Sequence, residues 1–132
     1  MATFNKFNAW VETMVEGANL ASDQFAIALT NIAPVAANSV IADITQISYT
    51  NLSSRALTTT SASQTGGTMT LVLADLVLTA SGSVGPFRYV VVFDDTLAGD
   101  PLVGWWDHGS SVTMANSETY TIDFTGAAIT IS

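Results

Sequence analysis

Residues 86–109, PFRYVVVFDDTLAGDPLVGWWDHG, constrain the fold more than any other stretch of the chain. Apolar and β-branched side chains alternate through 87–94, with Phe87, Tyr89, Val91 and Phe93 on one side. Period two with such residues is typical of a strand packed on at least one face. Turn-forming residues occupy 94–101, and an extended aromatic pattern resumes at 102–107. The stretch predicts a central antiparallel hairpin, with its long loop at one end of a β-sandwich.

The rest of the chain repeats the strand signal at short intervals. We expect further strands at 24–30, 55–60, 68–74, 75–80, 110–114, 119–125 and 128–131, with turns at 66–67 and 108–109. About seven to nine short strands at this spacing are typical of an antiparallel sandwich or jelly roll. A chain of 132 residues suits a single core. The predicted fold class is all-β: an antiparallel, jelly-roll-like β-sandwich that forms a single domain over residues 1–132.

Residues 1–20 depart from the strand pattern. Apolar side chains recur there at steps of three and four, which predicts an amphipathic helix: Phe4, Phe7, Trp10, Val11, Met14 and Val15. Thr3 or Asn5 is a suitable N-cap for this helix, and Gly17 is a suitable stop. The helix either packs on the sandwich or acts as an arm that docks on a neighbouring subunit. A second short helix, or a bent strand, is predicted at 40–47.

The charge of the chain excludes two classes of partner. Eleven acidic residues outweigh three basic ones, Lys6, Arg55 and Arg88, so the formal net charge is −8. Nucleic-acid binding requires cations that neutralise phosphates, and an anionic membrane attracts basic surfaces. We therefore expect neither a nucleic acid nor a membrane as partner.

Composition predicts a surface made largely of Ser, Thr, Asn, Gln and Gly, because 48% of the residues are hydrophobic and only 11% are charged. Such a weakly repulsive surface suits a homo-oligomer or a protein packed in many copies, with an ordinary monomer as the alternative. The chain has no cysteine, which excludes disulfides and thiolate metal sites. The first residues lack a signal-peptide pattern, and the apolar run at 71–78 is too short to span a bilayer. We expect synthesis in a cytoplasm.

Four acidic residues near the central hairpin are the best candidates for a metal site: Asp94, Asp95, Asp100 and Asp107. Carboxylates that converge in a loop can bind calcium, which takes six to eight oxygen ligands. Their spacing matches no calcium-binding motif, and aspartate is also favoured in turns because it bonds its own backbone. We favour the turn interpretation and expect no bound metal or cofactor.

His108 is the single histidine of the sequence. A catalytic triad needs a nucleophile positioned by a histidine, and no G-x-S-x-G elbow is present. Zinc needs three or four ligands, which one histidine without cysteines scarcely supplies. We therefore expect no enzyme. Arg88 lies within an apolar strand, so it should pair with an acid such as Asp107 or Asp123.

Trp105 and Trp106 are adjacent, so a strand sends one indole to each face. One ring is expected in the core. The other is either covered within the chain or exposed, where it would stack on a sugar or enter a pocket of a partner. The residues predicted to form an interface are the aromatic side chains of the two segments: Phe4, Phe7, Trp10, Trp105 and Trp106.

Several blocks carry a resemblance to a known group of proteins. They are FNKFNAWVE at 4–12, ALTNIAPVAANSVIADI at 28–44, VGPFRYVVVFDD at 84–95 and PLVGWWDHGSSVTMANSETYTIDF at 101–124. In these blocks the chain resembles small virion structural proteins of tailed bacteriophages, either capsid decoration proteins or tail-associated proteins. It departs from them in its short Ser/Thr-rich middle at 51–67. The resemblance implies a structural role in a virion made in the host cytoplasm, with no catalytic residue to transfer.

The leading functional expectation is a capsid decoration, or cement, protein that binds the major capsid protein or other virion proteins. The first alternative is a tail component: tube, terminator or fibre-base. The second is a carbohydrate-binding adhesin that uses Trp105 or Trp106 together with the loop at 94–100. A hydrolase that uses Asp107 and His108 is the weakest alternative.

Overall fold

The computed structural model describes residues 4–124 and 129–131. The described chain is mostly β-strand in antiparallel sheets, with one short α-helix. The strands are β1 (Asn5–Lys6), β2 (Phe25–Thr30), β3 (Thr59–Thr65), β4 (Thr68–Leu73), β5 (Leu76–Thr79), β6 (Val84–Asp94), β7 (Leu102–Met114), β8 (Thr119–Ile122) and β9 (Ile129–Ile131). The helix is α1 (Asn8–Glu16), and a single 3₁₀ turn spans Ile41–Asp43.

The largest sheet has the strand order β1-β7-β6-β2, and β6 and β7 form the predicted central antiparallel hairpin. Two details of that prediction are wrong. A bulge between Phe87 and Tyr89 places Phe87 in the same core cluster as Val90 and Val92, not beside Val91. The turn expected at 108–109 is also absent, because β7 continues through it to Met114, with Gly109 at φ 96° inside the irregular pairing.

The smaller sheets have the orders β3-β4-β9 and β5-β8. The turn at Gly66-Gly67 is confirmed, since both glycines have positive φ and Thr65 pairs with Thr68 across them. The strand predicted at 55–60 is displaced, because β3 begins at Thr59. The predicted strands at 119–125 and 128–131 correspond to β8 and β9, and residues 125 and 128 lie outside the described residues.

The outer edge of β2 is closed by the segment that precedes β3. The Ile27 N–H donates to the carbonyl of Arg55, and the Leu57 N–H donates to the carbonyl of Phe25. Further along, the Ile47 N–H donates to the carbonyl of Leu29. Residues 55–57 are therefore held as a cover for this edge, and the Ser/Thr run after them is left to form β3.

Two clusters of buried side chains lie on opposite faces of the largest sheet. All residues of β2 are buried, because Phe25, Ile27 and Leu29 enter the larger cluster while Ala26 and Ala28 enter the smaller one. The larger cluster joins all three sheets and α1, through residues that include Trp10, Leu71, Leu73, Leu78, Val90, Val92, Trp106, Ile122 and Phe124. β2 lies within the strand predicted at 24–30, and both of its faces are buried.

The N-terminal helix is shorter than predicted. It begins at Asn8 after Phe7, whose backbone is extended and whose side chain makes no cap, while Asn5 lies in β1 opposite Trp105. Thr3, the other predicted cap, lies outside the described residues. Residues 5–6 pair with β7 as a strand, so the helix begins only after them. Gly17 ends the helix as predicted, with its N–H donating to the carbonyl of Thr13.

The helix predicted at 40–47 is confined to the 3₁₀ turn. Asp43 closes that turn, because its Oδ2 accepts hydrogen bonds from the backbone N–H groups of Ser39 and Val40. These bonds favour the charged form and lower the pKa of Asp43. Ile44, the residue after the turn, has an extended backbone and packs into the smaller cluster.

Candidate functional site

The residues predicted as an interface come together inside the chain in aromatic pairs. The Phe4 ring packs on Trp106 with centroids 5.1 Å apart, the Phe7 ring packs on Trp105 at 4.6 Å, and Trp10 meets Phe25 edge-on at 6.2 Å. Trp105 and Trp106 point to opposite faces of β7, as predicted. The short strand β1 positions Phe4 and Phe7, because its pairing with β7 places the flanking aromatic rings over that strand.

Three of the side chains predicted to form an interface lie in the core of their own chain. Phe7 and Trp10 are completely buried, and Trp106 is only 6% exposed. None of the three presents a surface to a partner while the N-terminal segment stays on its own chain. An arm docked on a neighbouring subunit would have to leave this core. Phe4 and Trp105 are half-buried and keep part of their surface in solvent.

The four candidate metal ligands do not converge. Asp107 forms a two-pronged ion pair with Arg88, with nitrogen–oxygen distances of 2.7 and 3.0 Å, which confirms the predicted pairing of that arginine. Asp95 is exposed, whereas Asp94 is buried at the end of β6. Among residues 4–124 and 129–131, no group of three or more His, Asp or Glu is arranged to hold a metal ion. The calcium interpretation therefore lacks its ligand set in this part of the chain.

Asp94 instead meets Asp23, which sequence analysis did not single out. Asp94 Oδ1 accepts a hydrogen bond of 3.0 Å from the Thr96 N–H, as in a turn closed by an aspartate. Its Oδ2 is buried without a donor in the described chain, and the Asp23 carboxyl lies within hydrogen-bonding reach. Burial and then this second carboxyl raise the pKa of Asp94 to about 7. Two carboxyls in contact are stable only when one of them holds a proton.

The signal for this pair lies in the strand register and not in spacing. Phe25 stands opposite Asp94 in the β2–β6 ladder, so residues just before β2 lie beside the end of β6. The Thr96 hydroxyl oxygen also accepts a bond of 2.7 Å from the Gln24 N–H, which holds the loop against the same segment. Pairing the predicted strands β2 and β6 in register would have indicated the contact between Asp23 and Asp94. The spacing of the acidic residues along the sequence does not indicate it.

His108 lies on the rim of an open pocket of about 250 Å³. The pocket is lined by Val90, Trp106, His108, Tyr120, Thr121, Ile122 and Asp123. His108 Nδ1 and the Tyr120 hydroxyl are 3.0 Å apart, and burial raises the pKa of Tyr120. Asp107 is bound to Arg88 and not to this imidazole. The hydrolase alternative depends on Asp107 and His108, whereas the hydrogen bonds that Asp107 accepts come from Arg88 and from the Gly109 N–H.

Comparisons of the chain with family models, with curated proteins and with solved structures found no match. Within the described residues, the structure contains no helix with the length and apolar character needed to cross a membrane.

Proposed function

We propose that this chain is a non-enzymatic structural protein of a tailed-phage virion, most specifically a capsid decoration protein. In this proposal many copies bind the outside of an assembled head through the major capsid protein. The sequence blocks at 4–12, 28–44, 84–95 and 101–124 support the proposal through their resemblance to virion proteins. The body would be an antiparallel β-sandwich, with the largest sheet facing the two smaller sheets across the larger core cluster.

The observation that carries the proposal is an uncharged face of the hairpin formed by β3 and β4. Residues directly opposite in an antiparallel pair share a face of the sheet, and Leu71 and Leu73 occupy the buried face of β4. The opposite face carries five small hydroxyl side chains together with Val72, and we call it the hydroxyl face: Ser61, Ser63, Thr65, Thr68, Thr70 and Val72. Such a face offers many hydrogen bonds without the cost of desolvating a charge.

A second feature supports a rigid binding body. The aromatic side chains of the N-terminal segment and of β7 are paired within the chain, which holds the β1 edge of the largest sheet in place. Contacts of modest strength on each copy then add over a particle, because many linked contacts bind far more tightly than one. A tail location is the alternative that shares these features.

Depletion and reconstitution of purified particles test the proposal. We expect heads depleted of the protein to lose heat stability and to regain it when purified protein is added. Thr70→Glu places a charge in the hydroxyl face and should abolish rebinding, while Thr79→Glu, at an exposed position of β5, should rebind. Particles that lack the protein, or depleted heads of unchanged heat stability, would refute the proposal. Labelled protein seen on tails by electron microscopy would replace decoration with the tail alternative.

A further inference from the structure

The strand β3 lies at an open edge of its sheet. It pairs with β4 on one side, and no described residue pairs with its other side. A register shift at Thr59/Ser61 leaves residues 61–65 as the regular part of this edge. The contrast with β2 is direct, because the outer edge of β2 is covered by bonds from Ile47, Arg55 and Leu57.

The hairpin register determines which backbone groups face the open side. Thr65 and Thr68 close a two-residue turn, and backbone bonds alternate along an antiparallel ladder. The N–H and C=O groups of Ser61, Ser63 and Thr65 therefore point to β4. Those of Ala62 and Gln64 point to the open side, where an added strand would find two donors and two acceptors.

Beyond the register shift at Thr59/Ser61, this edge lacks the charged residues and prolines that normally prevent strand addition. Natural edge strands are commonly protected by lysine, proline or inward-pointing charge. Residues 56–74 contain no charged residue and no proline, although the whole chain carries a net charge of −8. The exposed side chains of Ser61, Ser63 and Thr65 are small enough to admit a neighbour.

The absence of charge favours a second copy of the chain as the occupant. Across a two-fold axis the same patch of surface meets itself, so a patch with charge of one sign would face like charge. Two copies that each carry a net charge of −8 repel each other, and the neutral hairpin is where they can approach at least cost. A surface built for a charged partner would instead carry complementary charge.

We propose that β3 pairs antiparallel with β3 of a second copy about a two-fold axis at Ser63. In this register Ser63 faces Ser63 of the other copy as a non-hydrogen-bonded pair. Ala62 faces Gln64 of the other copy on each side of the axis, and these pairs exchange the backbone bonds. The three-stranded sheets of two copies become one continuous sheet. The pairing belongs to the chain alone, so it holds or fails independently of a role in the virion.

The size of the contact sets the conditions for its detection. Stable protein–protein interfaces bury roughly 1,200 Å² or more of accessible surface. A pairing of a few edge-strand residues buries less than that, so we expect the isolated dimer to be weak. We expect it at protein concentrations of about 100 μM and above. Because the copies repel through their net charge, raising NaCl from about 20 to 500 mM should increase the dimer fraction.

Cysteine crosslinking tests the register, and the cysteine-free chain gives no background. Directly opposite residues of a non-hydrogen-bonded pair have Cα atoms about 4.5 Å apart, within the range of a disulfide. Ser63→Cys should give a disulfide-linked dimer under mild oxidation. Ser61→Cys lies on the same exposed face, but its two copies would be about 14 Å apart, so it should stay monomeric. Equal crosslinking of both variants, or none in Ser63→Cys, would overturn the register.

Sedimentation of variants with added charge tests the edge itself. Ser63→Glu places two carboxylates opposite each other and should abolish the dimer, whereas Thr79→Glu adds the same charge on β5 and should retain it. Circular dichroism and the Tm establish that both variants fold. A parent protein that stays monomeric up to about 1 mM in high salt, or a dimer unaffected by Ser63→Glu, would refute the proposal.

Discussion

The ring of Phe4 lies directly over Gly104 and beside the indole of Trp106, with ring centroids 5.1 Å apart. Gly104 is the residue of β7 that pairs with Lys6 of β1. The N-terminal segment can therefore lie flat on the sheet because the strand beneath it carries no side chain at that position. This relationship makes the segment part of the core of its own chain.

Gly104→Ala should detach or displace β1. A Cβ at this position would lie against the Phe4 ring and 2.7 Å from the carbonyl oxygen of Asn5, which is backbone and cannot move alone. We expect a loss of about 1–3 kcal/mol in the free energy of unfolding, measured by urea denaturation. Gly17→Ala is the control, because nothing lies within 4 Å of its added Cβ. Equal stability of Gly104→Ala and the parent would contradict this packing.

Trp10→Ala should destabilise the isolated chain strongly. The side chain is 0% exposed and packs in the larger cluster against Phe25. Truncation of a buried tryptophan costs about 3–5 kcal/mol, which chemical denaturation measures. Val15→Ala on the same helix is the control, since Val15 is 84% exposed and its truncation should have little effect. A Trp10→Ala chain as stable as the parent would restore the interpretation of residues 1–20 as an arm for a neighbouring subunit.

The sequence was informative where a local pattern has one physical outcome. Alternation predicted the β6–β7 hairpin, and the cost of an unpaired charge in an apolar strand predicted that Arg88 pairs with an acid, of which Asp107 was one of two candidates. The sequence pattern was ambiguous at residues 4–10. Aromatic residues at steps of three fit a continuous helix as well as a short strand followed by a helix. Only the ladder between Asn5 and Trp105 separates the two.

Other features depend on information that no single segment contains. The bulge that moves Phe87 to the larger cluster arises from the mismatch of two strands, so the alternation of β6 alone does not reveal it. The contact of Asp23 with Asp94 likewise requires the β2–β6 register. The candidate acid cluster was read along the chain, whereas the second carboxyl, that of Asp23, comes from the segment just before β2.

The Asp23–Asp94 pair should make stability fall as the pH rises. The pKa of Asp94 is about 7 in the folded chain, against 3.8 for an unperturbed aspartate. Between these values the folded state holds more protons than the unfolded state, so this group's contribution to stability is greatest below about pH 4. It declines as the pH rises to about 7 and is then constant. Urea denaturation at a series of pH values measures the decline.

Asp94→Asn should remove this decline and stabilise the chain at pH 8. The amide keeps the oxygen that accepts from the Thr96 N–H, and its NH₂ group supplies a permanent donor toward Asp23. Asp95→Asn is the matched control, because Asp95 is exposed and its replacement should leave the decline intact. A pH dependence in Asp94→Asn equal to that of the parent would show that the pair is not the titrating group.

Tyr49→Phe should open the protected edge of β2. The Tyr49 hydroxyl oxygen accepts a hydrogen bond of 2.9 Å from the N–H of Leu29, a residue whose side chain is fully buried. Phenylalanine leaves that buried donor without a partner, which costs about 1–3 kcal/mol. Hydrogen exchange should then accelerate at the Leu29 amide and not at Ile27, whose N–H donates to the carbonyl of Arg55. Uniform acceleration across β2 would mean instead that the whole cover has detached. Selective acceleration at Leu29 would show that the Tyr49 side chain protects this part of the β2 edge, where no described backbone group accepts from the Leu29 N–H. The described chain provides no such cover for the edge of β3.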